Sequence, residues 1–202
     1  MGGIFLGFLC AVALIGALGR VRAAQPPTGR LGLACWVLVV LTGLDGLNAF
    51  LADGNLPHLY APSTAVRLLT GLAAGLGLGL MAVPVVAGVI WAKPRDEHSI
   101  EDSVELVGGL AVAGLLGALI LAGVGVLLWP VALLMVLAVL VAFGVANVYV
   151  LVLGSGRAGQ AETLGELRGV LISSFGLVLL ELGALAALRG WLIASFGFTW
   201  GI

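Results

Sequence analysis

Runs of about twenty apolar residues, broken by short polar loops, recur from one end of this chain to the other. At 1.5 Å per residue, about 20 helical residues cross the ~30 Å hydrocarbon core of a bilayer. Inside hydrocarbon the backbone must bond to itself, so a run of that length crosses as a helix. Charged residues are 9% of the 202 and hydrophobic ones 61%, too few charges to clothe so large an apolar core in water. The expected fold is all-α, a polytopic membrane helix bundle of six transmembrane helices in a single domain.

The spans read as roughly 3–19, 31–52, 64–92, 105–128, 130–153 and 169–188. The stretch 105–153 is about twice the length one span needs, and Trp129-Pro130 is the turn signal inside it. The remainder, 189–202, is rich in Trp and Phe and reads as an interfacial tail. The first run lacks a basic n-region and a small-x-small cleavage site, so it reads as a span and not a signal peptide. Seven of the nine basic residues (Arg20, Arg22, Arg30, Lys93, Arg95, Arg157 and Arg168) fall in the first, third and fifth loops. The positive-inside rule places those loops in the cytoplasm and both termini on the non-cytoplasmic side. A bacterial inner membrane is the expected location.

Glycine accounts for 32 residues. Gly71, Gly75 and Gly79 are spaced four apart on the third span, a face on which helix backbones approach closely. The strings "SIED" (99–102) and "TLGE" (163–166) read as capping sequences before apolar runs. "GSGRAG" (154–159) matches the dinucleotide fingerprint but follows a span instead of a strand, and reads as a loop. In "RDEHSIEDSVE", His98/Asp102 and Glu101/Glu105 have metal-gripping spacing, and a capped helix start explains the same residues; no metal is expected. Cys10 and Cys35 read as small buried hydrophobes. A net charge of −1 argues against nucleic-acid binding.

Intramembrane polar residues carry the most information, because each is costly in lipid. They are Asp45, Asn48, Arg67, Asn147 and Glu181. Asp45 and Asn48 lie three apart on one helix face. Asp45 and Glu181 lie at similar depths in the outer half, roughly 10 and 12 Å from their helix ends. Two readings follow: an outward-opening polar chamber, or a staple between helices in which Asp45 pairs with Arg67 and Asn48 bonds the loop near His58 and Tyr60. The staple is the stronger, because a forked guanidinium fits a carboxylate. Asn147 reads as bonding a neighbouring helix. His58 is a possible outer-loop ligand, although nothing else supplies matching ligands.

Three strings, Asp45-Gly46, Leu59 to Pro62 and Arg67 to Gly71, resemble a family of small bacterial membrane proteins, domain of unknown function 2085. The resemblance covers about the first ninety residues. It implies the membrane architecture and singles out Asp45 and Arg67 without giving them a task. Longer members of that family carry a cysteine-rich head before the first span. The residues here lack it, so no metal site is implied.

The function expected is that of a non-enzymatic accessory or structural subunit, packing against other membrane subunits or as a homo-oligomer amid membrane lipid. The alternative is a small-solute or ion carrier using Asp45 and Glu181. No cofactor is expected; a bound lipid or pigment is left open.

Overall fold

A computed structural model describes residues 2–196. In chain order the elements are α1 (Gly2–Ala17), β1 (Ala23–Gln25), α2 (Gly29–Asp53), α3 (Thr64–Ile90), β2 (Arg95–His98), α4 (Ser103–Leu121), a 3-10 turn (Gly125–Leu127), α5 (Leu128–Gly154) and α6 (Arg168–Phe196). The helices α2 to α6 are long and apolar enough to cross a membrane, whereas α1 is apolar but has 16 residues. Large apolar side chains such as Trp36, Phe50, Leu133, Ile172 and Leu180 are exposed on the outer faces, a surface suited to hydrocarbon.

At the centre α1 and α3 run parallel and interlock through glycine. A Cβ on Gly3 would stand 2.7 Å from the Leu68 carbonyl oxygen, and one on Gly75 would land on the Ile4 carbonyl. Gly79 meets Ala11 in the same way, at 2.5 Å. The Gly71, Gly75 and Gly79 face is therefore spent inside the bundle, against the first helix. Gly77, half a turn round, lets α2 approach: a Cβ there would lie 2.9 Å from the Cys35 carbonyl oxygen. Leu6, Leu72, Ala113 and Ala138 join α1, α3, α4 and α5 in one buried cluster. On the flanks α2 packs on α3, and α6 packs on α5.

Three expectations are corrected here. The break between the fourth and fifth spans is not at Trp129-Pro130. It lies at Ala122 to Val124, where Gly123 takes φ +62 and donates to the Ile120 carbonyl at 3.1 Å. A glycine in the left-handed region is a preferred helix terminator, and Pro130 sits in the first turn of α5, where a missing N–H costs nothing. The tail is not a separate interfacial segment as far as Phe196, because 189–196 continue α6; residues 197–202 lie outside the described residues. Finally, Ser99 is not a helix cap. Asp102 caps α4 by accepting from the Glu105 N–H at 2.9 Å.

Ser99 has another task. Pro84 sits inside α3 and has no N–H to give the Leu80 carbonyl four residues back. The Ser99 hydroxyl, fully buried, donates to that carbonyl at 2.8 Å. Ile100 follows it into a core with Ala11, Ile15, Cys35, Leu76, Leu80 and Leu106.

Candidate functional site

At the end of the bundle away from the basic loops, the residues around Asp45 form a closed polar knot. Asp45 is 5% exposed and Asn48 3%. The Tyr60 hydroxyl donates to one Asp45 carboxylate oxygen. The Thr70 hydroxyl stands 3.5 Å from the other, but its shorter bond goes to the Val66 carbonyl at 2.9 Å. Asn48 accepts from the Leu59 N–H at 2.8 Å and donates to the Tyr60 carbonyl at 2.9 Å, so one side chain holds the loop's backbone from both sides. Thr42 donates to the Thr70 carbonyl at 2.7 Å, tying α2 to α3 one turn deeper.

The direct Asp45–Arg67 pair expected from the sequence is not formed. Arg67 is exposed, and no carboxylate oxygen of the described residues lies within 4 Å of its nitrogens. A guanidinium one turn into a helix reaches water along its own stem, while burying it beside Asp45 would strip that hydration. The phenol of Tyr60 supplies a donor without adding a second buried charge. Its bond to Asp45 raises the Tyr60 pKa above that of a free phenol. Tyr60 and Thr70 both lie within strings whose resemblance drew attention to Asp45 and Arg67, so the signal was present but attached to the wrong donor.

Glu181 does not join this knot. It accepts from the Asn147 side-chain amide at 3.0 Å, bridging α6 to α5, while Asp45 bridges α2 to its own loop and to α3. The two carboxylates belong to different clusters, which removes the shared chamber. His58 is exposed, with Nδ1 3.0 Å from the Leu56 carbonyl oxygen. Among the described residues, no group of three or more His, Cys, Asp or Glu could hold a metal ion.

The basic-loop end is more ordered than its sequence suggests. The strands β1 and β2 pair in parallel, with Arg95 N–H donating to the Arg22 carbonyl at 2.8 Å and Ser99 N–H to the Gln25 carbonyl at 3.0 Å. The fifth loop joins through a bridge between Trp91 and Ala161, and Gly159 N–H donates to the Val89 carbonyl at 2.8 Å. "GSGRAG" is thus a turn docked on the end of α3, with Gly156 and Gly159 at φ +66 and +67. Side chains complete the clasp. Arg20 bonds Glu105 at 2.7 Å and meets Glu101 at 3.3 Å, and the Glu105 bond raises its pKa further. His98 Nδ1 lies 2.9 Å from the Pro26 carbonyl oxygen, so the supposed His98/Asp102 metal pair is a loop contact and a helix cap. In "TLGE", Glu166 accepts from the Glu162 N–H and the Thr163 hydroxyl, which hold its carboxyl below the usual glutamate range. This is not the expected helix cap: the Thr163 hydroxyl donates to Glu166, and the pair closes a turn before α6 begins at Arg168.

An apolar cavity of about 380 Å³ lies between α3, α5 and α6 beside this clasp. Sequence reasoning offered no sign of it, because its walls are ordinary Val, Leu and Ile positions of three separate spans.

Set against known proteins, the chain matches no family model, no curated protein sequence and no solved structure.

Proposed function

We propose that the chain is a non-enzymatic accessory subunit of a bacterial inner-membrane complex, with six spans and both termini on the non-cytoplasmic side. The resemblance at Asp45-Gly46 and Arg67 to Gly71 agrees with that architecture. The orientation rests on the seven basic residues gathered in the clasped loops.

The observation that carries the subunit reading is the outer face of α6. Gly169, Gly176, Gly183 and Gly190 recur every seven residues, and nothing lies within 4 Å of where a Cβ would stand on any of them. A heptad spacing drifts only about 20° per repeat, so the four form one strip along the helix. Ser174, Val178 and Glu181 face the other way, toward α5. Gly3 and Gly7 of α1 and the glycines of α3 are spent within the bundle, whereas this strip is open for close approach by another helix.

The test is native mass spectrometry and copurification in mild detergent. A copurifying membrane polypeptide is expected, and Gly176→Leu with Gly183→Leu should release it while leaving the bundle folded. A monomer with no companion under mild conditions would overturn the reading. The carrier alternative draws less support, since Asp45 and Glu181 sit in separate clusters and offer no common path.

A further inference from the structure

The cavity between α3, α5 and α6 is walled by Val86 and Ile90, Val145 and Leu171, with Val21 and Trp91 at its loop end. Its few polar groups are already engaged. The Ser174 hydroxyl donates to the Gly144 carbonyl at 3.0 Å, and the Trp91 indole N–H to the Val21 carbonyl at 3.3 Å. Water needs two to four polar partners to occupy such a space, so this cavity favours hydrocarbon. Between helices that cross a bilayer, the hydrocarbon at hand is a lipid chain.

A charge stands beside the same wall. The Arg22 guanidinium carbon lies 4.7 Å from the Trp91 ring centroid, stacked on it. Arg22 spends one donor on the Glu162 carbonyl at 2.7 Å. No carboxylate oxygen of the described residues lies within 4 Å of its nitrogens, in contrast to Arg20, which meets two carboxylates. Lys93, two residues beyond Trp91, has no ion pair among the described residues either. A guanidinium carries five N–H donors in a fork that fits phosphate oxygens.

We infer that this cavity is a lipid site, holding one acyl chain of an anionic phospholipid whose phosphate rests on Arg22. The site lies on the α5-facing side of α6, away from the glycine strip, so it stands independently of the subunit reading.

The experiment uses the full chain in phosphatidylcholine nanodiscs containing a phosphatidylglycerol with a photoactivatable acyl chain. Photolysis is followed by mass-spectrometric mapping of the adducts. Adducts are expected on the segments holding Val86, Val145 and Leu171, in excess over other lipid-facing segments. Arg22→Gln should lower that yield about fivefold, the worth of one basic residue at an anionic surface. Arg22→Lys should keep most of it, which separates the charge from any structural role in the clasp. Gly144→Leu should block the cavity and abolish the adducts with Arg22 intact. Even labelling of all lipid-facing helices, insensitive to Gly144→Leu, would overturn the site. An equal yield from a matched phosphatidylcholine probe, or an equal loss in Arg22→Lys and Arg22→Gln, would overturn the assignment of the phosphate to Arg22.

Discussion

Asp45 and Asn48 stand one turn apart on α2 and both engage Tyr60, Asn48 through its backbone and Asp45 through its phenol. Losing the phenol leaves a buried carboxylate with only the distant Thr70 hydroxyl. Tyr60→Phe should therefore destabilise the fold measurably, because it removes a hydrogen bond to a charged group. Arg67→Ala, at an exposed position with no carboxylate partner among the described residues, should stay within about 0.5 kcal/mol. Denaturant unfolding in detergent micelles measures both, and equal losses would restore Arg67 as the partner of Asp45. Because the bond raises the Tyr60 pKa, its contribution is complete below the ordinary tyrosine range and is lost as pH rises through the raised folded value. Helical spacing alone was enough to read that Asp45 and Asn48 share a face. The donor that meets Asp45 was not legible, because it comes from the path of a loop and not from any spacing along a helix.

At the scale of elements, α3 is bent to two purposes at once: its glycines admit α1 and α2, and its proline is repaired by a loop. Ser99→Ala should leave the Leu80 carbonyl unmatched in the core, at about 1–3 kcal/mol. Pro84→Ala restores the backbone donor, so in that background Ser99→Ala should cost less by at least about 0.5 kcal/mol. Additive losses in that double-mutant cycle would show that Ser99 and Pro84 are not coupled. Gly75→Val should prevent α1 from docking, since its side chain would meet the Ile4 backbone, whereas Gly176→Ala should leave the isolated bundle as stable as before. Proteolysis of α1 in the refolded protein checks the contrast. The existence of most of these helices was plain from apolar length. Their joins were less so: "SIED" and "DSVE" overlap, and both match a capping pattern that only one can use. The turn before α5 followed Gly123, a residue no different in sequence from the many glycines that stay helical.

Taken whole, the molecule has one end tied by side-chain bonds and the other by paired backbone reinforced by side chains. With Cys10 and Cys35 changed to alanine, a cysteine placed at Asn55 should react with an impermeant reagent added outside cells, and one at Gln160 should not. The reverse pattern would invert the proposed orientation. The gathering of the odd-numbered loops at one end was legible from their basic residues, because the parity of spans dictates it. The mutual hydrogen bonding of those loops was not, since strands of three and four residues leave no periodic trace. That clasp also imposes an order on assembly. His98 and Pro26, in contact across it, are 72 residues apart in the chain. At ~5–20 residues per second, roughly 4–14 s of translation separates the two halves of the contact. Within that interval α2 and then α3 are made, so α1 is synthesised well before the third helix it packs against. The short first helix therefore reaches its glycine-lined seat on α3 only after about seventy further residues have been added.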